Sequence, residues 1–390
     1  AYDAAGPGYL AYIPGGGLFA AGVGDLIANC INRFTNLAAP SPALVQIEAN
    51  VVRWLCDLFG FPPTSQGILT TGGSMANFSA VITARSAKLP ENFLDGTIYV
   101  TEHVHHSMAK SARLAGFPAR AMRIVPSDAN LRMDVSALRD AIAADRAGGL
   151  MPFLVVASAG TTNTGAVDPI ADIAEVARTE GLWCHVDAAY GGFFQLTERG
   201  RAHFAGIDGV DSITLDPHKG MFLPYGTGSL LVRDGASLQA AHRVGAQYLP
   251  HASSDTAIPD FADFSPELSR DYRGLRVWLP LSLHGVDAFR SALDEKLDLT
   301  RLVYEALSSA PNLVVPWEPD LSIVAFHPAS GDNEAAARLL ARINDSKRIF
   351  ISDTIVDGRS ILRVCILSHR THRDRIEEGI EIIQKAAVDL

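Results

Sequence analysis

The 390-residue sequence predicts an α/β fold built on a mostly parallel sheet, followed by a smaller α+β domain. From about residue 68 to 235, apolar strands alternate with amphipathic helices. The strands are almost continuously apolar, which is typical of a sheet covered on both faces. After about residue 286 the pattern changes to longer helices and a few short strands, which predicts the second domain.

Five apolar runs bounded by turn residues are predicted as strands of the large sheet. They are residues 96–100, 152–160, 182–190, 211–219 and 226–234. Amphipathic helices are predicted between them, at 135–149 and 168–181. Ligands of such sheets bind beyond the carboxyl ends of the strands, so we expect the functional residues to collect there.

The first residues predict an extended arm rather than a helix. The stretch 6–17, GPGYLAYIPGGG, is interrupted repeatedly by Gly and Pro, and we expect it to lie on another surface of the protein. A helix is predicted over 41–61, with Ser41 as its N-cap and Pro42 at its first position.

Three regions are therefore expected: an N-terminal arm over 1–45, a large domain over 46–285 and a small C-terminal domain over 286–390. The small domain is predicted from apolar periodicity. Its helices are expected at 287–307, near 333–345 and at 374–388, with strands at 321–328 and 360–367.

Composition argues against several classes of partner. The net charge of −10 gives no electrostatic support for binding nucleic acid or a membrane surface. No apolar run reaches the roughly 18 residues that span a bilayer. The four cysteines lack metal-ligand spacing, which favours reduced thiols in a cytoplasmic protein without a metal site.

A lysine in unusual surroundings is the first candidate for chemistry. Asp216, His218 and Lys219 follow directly after an apolar strand, and Asp187 ends the preceding strand. A surface lysine at a strand end is the ordinary alternative. An amine and a carboxylate at neighbouring strand ends instead suit pyridoxal phosphate, whose aldehyde bonds a lysine and whose ring nitrogen pairs with a carboxylate.

Two further stretches fit this cofactor. Gly72, Gly73 and Ser74 open a predicted helix, where free N–H groups and the helix dipole bind phosphate, although alone they could form a plain tight turn. Three histidines in the stretch 101–117 follow a strand. They could be a solvent-exposed cap, or one imidazole could stack on the cofactor ring. A metal site is less favoured because no acidic or cysteine partner has suitable spacing.

These motifs, HVDAAYGG and DPHKG, resemble those of the group II pyridoxal-phosphate-dependent decarboxylases, and the resemblance runs from residue 9 to 383. It implies fold type I with a seven-stranded sheet, pyridoxal 5′-phosphate, an amino-acid substrate and a homodimer with shared active sites. It makes Lys219 the lysine bonded to the cofactor, Asp187 the partner of its ring nitrogen and His105 the stacked imidazole. The cofactor-binding residues that it implies are Gly73, Ser74, His105, Thr162, Asp187, Ala189, Asp216, His218 and Lys219.

On the substrate side, the resemblance implies Tyr12, Pro14, Phe261 and Arg363. A mobile loop, about 248–272, is expected to close over the site. Phe261 stands where aromatic-amino-acid decarboxylases have a tyrosine that delivers a proton, so Tyr272, His105 or water would have to act instead. Asp216 replaces an asparagine that contacts the phosphate in many members, and a carboxylate there would repel phosphate unless protonated or turned toward a donor.

The expected activity is decarboxylation of an L-amino acid to the amine and carbon dioxide, with an aromatic or bulky apolar side chain favoured by Tyr12 and its apolar neighbours. One alternative is decarboxylation with oxidative deamination to an aldehyde, because the phenyl ring of Phe261 cannot donate a proton. Another is a non-catalytic protein that binds the same cofactor, since a fold does not fix a function.

Overall fold

A computed structural model of the protein describes residues 3–243 and 258–388. Within these ranges the chain forms eleven strands, twelve α-helices and four short 3₁₀ helices. The strands are β1 (Gln66–Thr70), β2 (Gly96–Thr101), β3 (Met122–Val125), β4 (Met151–Ser158), β5 (Trp183–Asp187), β6 (Ser212–Leu215), β7 (Gly228–Val232), β8 (Leu313–Val314), β9 (Ile323–Pro328), β10 (Ser352–Val356) and β11 (Arg359–Cys365). The helices are α1 (Phe19–Ile31), α2 (Pro42–Leu58), α3 (Gly73–Lys88), α4 (Ser107–Leu114), α5 (Val135–Ala147), α6 (Ile170–Glu180), α7 (Glu198–Ala202), α8 (Pro217–Gly220), α9 (Gly235–His242), α10 (Gly274–Ser308), α11 (Asn333–Asp345) and α12 (Arg373–Val388).

The large sheet has seven strands in the order β1-β7-β6-β5-β4-β2-β3. Strand β7 runs antiparallel to both of its neighbours, and the other paired strands are parallel. The smaller sheet is antiparallel, in the order β10-β11-β9-β8. The predicted fold class, a mostly parallel seven-stranded sheet with a small α+β domain, is therefore confirmed.

Four of the predicted strands of the large sheet are shorter than expected, and the ends of two of them, β5 and β6, matter for the site. Strand β5 ends at Asp187 rather than at residue 190. Strand β6 ends at Leu215, because Pro217 lacks the N–H that a strand ladder needs and instead opens the short helix α8. Lys219 consequently lies in a helical turn and not in a strand.

The N-terminal arm lies on the small domain, as an ordered segment. Phe350 N donates to Gly8 O at 2.8 Å, and Leu10 N donates to Phe350 O at the same distance. Cys365 N donates to Leu10 O at 2.9 Å, so the arm is bonded to the end of β11.

Helix α1 follows the arm and was not predicted. Gly22 and Gly24 weaken its helical pattern, and Leu18 at its N-cap offers no side-chain acceptor. The helix is stabilised by packing against α10, where the backbone of Leu275 lies close to Gly24. Helix α10 is itself broken at Gly285, whose φ of +72° is left-handed. The domain boundaries at 45/46 and 285/286 stay predictions.

None of the helices in the two described ranges is both long and apolar enough to cross a bilayer. All four cysteines are free thiols, with Cys30 exposed and the other three buried.

Candidate active site

A cavity of about 280 Å³ lies at the carboxyl edge of the large sheet. Ser158 ends β4, Asp187 ends β5 and Asp216 follows β6, so three neighbouring strands deliver polar side chains to it. Its lining consists of Thr71, Gly72, Gly73, Ser74, Met75, Asn77, His105, Ser107, Ser158, Gly160, Thr161, Thr162, Asp187, Ala189, Tyr190, Asp216, His218 and Lys219.

The amine of Lys219 is held by a buried carboxylate. Its Nζ lies 2.8 Å from Oδ2 of Asp216, whose side chain is almost fully buried. The other oxygen of Asp216, Oδ1, is buried and has no hydrogen-bond partner among the described residues. The turn itself is closed by a bond from Lys219 N to Asp216 O at 2.8 Å, which fixes the two side chains next to each other.

The carboxylate of Asp187 is held in one orientation by two donors. Its Oδ2 accepts from Nδ2 of Asn77 at 2.9 Å, and its Oδ1 accepts from the backbone N–H of Ala189 at 3.1 Å. Both donors come from elements at the strand ends, α3 and the turn after β5. The carboxylate is buried and needs such donors, because an ionised group out of water is costly without them.

His105 enters the cavity from the turn between β2 and α4. Its Nδ1 lies 2.7 Å from Oγ of Ser107, and the N–H of Ser107 also donates to it at 3.3 Å. Burial is the main cause that lowers the pKa of His105 below its ordinary value; the nearby Asp187 raises the pKa, and His106 and Lys219 lower it further. We therefore take the imidazole as neutral at neutral pH.

The start of α3 opens into the cavity with two free amides. Gly72 occupies the N-cap position and no described side chain caps this end, so the N–H groups of Gly73 and Ser74 lack acceptors among the described residues, whereas the next two N–H groups donate to Gly72 O. A Cβ on Gly73 would lie 3.0 Å from Oδ2 of Asp216 and 3.2 Å from Cβ of Ala189. Glycine is thus required for the backbone to approach this closely, and the amides form a site for an anion.

His218, in the short helix α8, lines the same cavity. Its Nδ1 donates to Thr227 O at 2.7 Å, and its Nε2 lies 3.7 Å from Oδ2 of Asp216. Burial lowers its pKa, against the opposing effect of Asp216 and with a smaller lowering effect of Lys219. Its neutral form is therefore favoured at neutral pH.

The structure brings together all nine residues that the resemblance implies for the cofactor, from Gly73 to Lys219. Those implied for the substrate do not line this cavity within the described residues. Tyr12 is 60% exposed on the arm, with a φ of +52°, and Pro14 is buried nearby. Arg363 is buried in β11, where its Nη2 donates to Tyr12 O at 3.0 Å.

Phe261 differs most from its expected position. Residues 248–257 of the predicted loop lie outside the described residues, but Phe261 is fully buried in the apolar core. The guanidinium carbon of Arg270 lies 5.1 Å from the centre of its ring. Arg270 is buried too and pairs with Glu48 at 2.7 Å. Burial of the ring and this ion pair hold the segment away from the cavity wall.

Tyr272, considered as a proton donor, is occupied elsewhere. Its side chain is buried and its hydroxyl donates to Leu44 O at 2.8 Å. Tyr190 is the tyrosine among the described residues that line the cavity. Its hydroxyl forms hydrogen bonds with Oγ and N of Ser322 at 2.7 and 2.9 Å. His105 thus remains as a lining side chain that can exchange a proton.

Sequence reasoning missed several side chains of the site. Asn77, Ser107 and Ser158 line the cavity but carry no motif of their own. Two of them lie close in sequence to a predicted residue. Asn77 lies one helical turn after Gly73 in α3, and Ser107 lies two residues after His105.

Comparison with known proteins decides the family. Residues 4–328 match the pyridoxal-dependent decarboxylase conserved domain. The chain belongs to the pyridoxal-dependent decarboxylase family. The resemblance predicted from the two motifs is confirmed, and the protein is an enzyme of the carboxy-lyase class that uses pyridoxal 5′-phosphate and an amino-acid substrate.

Relatives of this decarboxylase family match almost the whole chain. An aromatic-L-amino-acid decarboxylase of Bacillus atrophaeus is 34% identical and aligns over 97% of this chain and 80% of its own. A phenylacetaldehyde synthase of Arabidopsis thaliana is 27% identical over 98% of this chain and 82% of its own. The solved structure of an Oryza sativa TDC with PLP and tryptamine superimposes with a TM-score of 0.93, at 27% identity, over 99% and 84% of the two chains.

The residues of the cavity fit this cofactor. The free amides of α3 suit its phosphate, and the amine of Lys219 suits its aldehyde. The oriented carboxylate of Asp187 suits a protonated ring nitrogen. In the described parts of the chain no group of three His, Cys, Asp or Glu side chains is placed to hold a metal ion.

Proposed function

We propose that this decarboxylase acts on an aromatic L-amino acid and releases the arylalkyl amine and carbon dioxide. The observation that carries the proposal is that Lys219, Asp187 and the free N-terminus of α3 open into one cavity. The Bacillus atrophaeus relative is described as an aromatic-L-amino-acid decarboxylase, which supports this substrate class. The absence of Lys and Arg from residues 1–32 argues against an acidic substrate at the arm.

Each residue has a distinct proposed role in that reaction. Bound here, pyridoxal phosphate supplies an electron-accepting ring for the electron pair left behind by carbon dioxide. Asp187 stabilises positive charge at the ring nitrogen, and the α3 amides, with Thr162, orient the phosphate. Lys219 exchanges with the substrate amine, and the carboxylate of Asp216 binds the protonated amine of Lys219 at 2.8 Å. His105 packs against the ring.

The product amine requires one proton at the substrate α-carbon. We propose that His105 delivers this proton as its imidazolium, after taking one up from solvent, or that a water bonded to it does so, because His105 lines the cavity. Phe261 lacks an exchangeable proton, and the hydroxyls of Tyr190 and Tyr272 are bonded to other groups.

A second candidate is an aldehyde synthase, and it is supported by the observation that the hydroxyls of Tyr190 and Tyr272 are bonded to other groups and so do not protonate the α-carbon. Without rapid protonation the α-carbon can react with dioxygen, so that one amino acid and one dioxygen, with water, give the aldehyde, carbon dioxide, ammonia and hydrogen peroxide. The Arabidopsis thaliana relative is a phenylacetaldehyde synthase, which supports it. Because Phe261 is buried away from the cavity, the ratio of amine to hydrogen peroxide released by the wild-type enzyme is the measurement that separates the two candidates.

We also propose that the enzyme is a homodimer whose subunits complete each other's sites. Helix α1 exposes Phe19 and Leu26, which are 82% and 64% accessible, and the neighbouring α10 exposes Trp278 and Leu283. An apolar surface of this kind is unusual for a monomer. A partner subunit would place further substrate-contacting groups at the cavity mouth. Light scattering should show a dimer, and Leu26→Asp should weaken it; a monomer that is fully active would contradict shared sites.

A cytoplasmic location is proposed as well, supported by four unpaired cysteines. Cell fractionation tests it, and recovery of the enzyme outside the cytoplasm would contradict it.

The decisive experiment is a substrate screen. The loaded enzyme is incubated with each of the twenty amino acids and a few aromatic analogues, and amine, aldehyde, ammonia and peroxide are measured together. We expect tryptophan, tyrosine or phenylalanine to give equimolar amine and carbon dioxide. Equimolar aldehyde and peroxide would favour the second candidate, and turnover of acidic amino acids alone would contradict both.

A further inference from the structure

Behind the cavity wall, a buried polar chain connects the two groups proposed to contact the cofactor ring. Asn77 stands at its centre, almost fully buried in α3. Its Nδ2 donates to Oδ2 of Asp187 and to Oγ of Ser107, both at 2.9 Å. Its Oδ1 lies 3.1 Å from Nε2 of His185, which is fully buried in β5.

The orientation of this amide follows from the charge of Asp187. An ionised carboxylate accepts hydrogen bonds only, so the NH₂ group of Asn77 must face it and the amide oxygen must face His185. His185 therefore carries its proton on Nε2, which also lies 3.4 Å from Oγ1 of Thr214. Burial lowers the pKa of His185, which keeps the ring neutral and leaves Nδ1 without a proton.

The far end of the chain agrees with this assignment. Nδ1 of His185 lies 2.8 Å from Oγ of Ser212. The same Oγ accepts a hydrogen bond from Nε1 of Trp183 at 2.8 Å. The indole can only donate, so the hydroxyl proton of Ser212 is free to point at His185. In the chain of hydrogen bonds that runs from the Trp183 indole through His185 to the Asp187 carboxylate, each bond therefore has its donor and acceptor fixed.

The near end sets the tautomer of His105. Oγ of Ser107 accepts from Asn77, so its own proton is directed to Nδ1 of His105 at 2.7 Å. The neutral imidazole then carries its proton on Nε2, the nitrogen that is not held by Ser107. One side-chain amide thereby fixes both the carboxylate and the imidazole that flank the ring.

We propose that Asn77 is a positioning residue that orients Asp187 and fixes the tautomer of His105, and that His185 holds the Asn77 amide in the required direction. Asn77 does not act on the substrate. This inference rests on the proposed roles of Asp187 and His105, but it needs no knowledge of the substrate.

The test measures cofactor binding rather than turnover. Apo-enzyme is titrated with pyridoxal 5′-phosphate to obtain the dissociation constant, and the visible absorbance of the bound cofactor is followed against pH. In Asn77→Leu, which keeps the side-chain size but loses the amide, we expect about 10-fold weaker binding or more and a shifted pH midpoint, because Asp187 loses a charge-assisted bond. Wild-type values for both would overturn the proposal.

His185 provides a rescue that a purely structural role would not give. His185→Gln can still present an N–H to Asn77 and should retain nearly wild-type binding and pH midpoint. His185→Leu cannot, and should behave like Asn77→Leu. Equal behaviour of the two His185 variants would contradict the proposal, and this pair decides the question even if Asn77→Leu fails to fold.

Two further variants separate the branches and control for stability. Ser107→Ala should shift the pH midpoint while changing the dissociation constant less than Asn77→Leu does, because only the His105 branch is cut. Asn344→Ala removes two bonds between a side-chain amide and Ile351 in the small domain. It should lower the melting temperature without altering cofactor binding; loss of binding in this control would show that instability alone explains the other variants. A wild-type enzyme that binds the cofactor but rejects aromatic substrates would refute the proposed substrate and leave this test intact.

Discussion

Lys219, Asp187 and His105 reach one cavity from the carboxyl edge of one sheet, whereas Arg363 and Phe261 lie in the small domain and in the core. The first set is positioned by a rigid sheet within one chain. The second depends on how segments distant in sequence pack, and on any partner subunit. The difference indicates that the residues proposed for the cofactor are positioned by one sheet and by the turns and helices next to its strand ends, while those proposed for the substrate are not. The predictions below test this contrast, beginning with the largest expected effect.

Replacing Lys219 should have the largest effect. Lys219→Ala is expected to lose activity by on the order of 10³-fold or more and to lose the visible absorbance of the bound cofactor, because no other amine is in place to bond it. The matched control is Lys296→Met. Lys296 is fully buried but pairs with Glu295 and Thr371 O, away from the cavity. The Lys296→Met variant should have lower stability and keep the absorbance of the bound cofactor. An unchanged spectrum in Lys219→Ala would contradict the assignment.

Asp187→Asn should follow, with a loss of roughly 10²-fold or more in kcat, because a neutral amide no longer stabilises positive charge at the ring nitrogen. Asp168→Asn is the control, since Asp168 is also buried but does not line the cavity, and its carboxylate accepts from the backbone N–H groups of Met133 and Ser158. Steady-state kinetics at saturating cofactor distinguish them. Equal losses in the two variants would mean that burial of a carboxylate, not its place at the cavity, matters.

The segment that holds Phe261 should respond in stability more than in chemistry. Arg270→Met leaves the carboxylate of Glu48 buried without its cation, which should cost about 3–5 kcal/mol in the free energy of unfolding. Cofactor affinity of the folded fraction should change less than about threefold, because neither residue lines the cavity. Urea unfolding and cofactor titration measure the two effects. A large loss of affinity without loss of stability would place this segment on the cofactor side after all.

The smallest effect concerns pH, where the arm meets the small domain. Burial, followed by the nearby cations Arg370, Lys296 and His372, lowers the pKa of His369 to about 4. The unfolded chain takes up this proton near pH 6.5 and the folded chain only near 4, so stability falls as the pH falls through this window. His369→Gln should reduce that slope by about one proton, measured as apo-enzyme unfolding against pH. An unchanged slope would contradict the burial of a neutral ring.

The contrast also explains what the sequence could predict. Apolar runs ending in Asp187 and Asp216 marked strand ends, and strand ends of a parallel sheet meet at one edge, so the cofactor residues followed from pattern and motif. Helix α1 was missed because its stability comes from packing on α10, not from capping or propensity.

The substrate side could not be predicted in the same way. The loop register placed Phe261 over the site, but no local pattern shows that its ring lies beneath Arg270 in the core. Asn77 and His185 were missed for a different reason. His185 lies two residues before Asp187, on the same face of β5, so the period of a strand could have indicated a shared polar network.

One measurement tests the central claim, that the cofactor is bonded to Lys219 at the carboxyl edge of the sheet. The loaded enzyme is reduced with borohydride, digested and mapped by mass spectrometry, so that the lysine bearing the pyridoxyl phosphate group is identified directly. The structure predicts a single labelled peptide containing Lys219. A label on any other lysine, or no label in enzyme that shows full activity, would contradict the account.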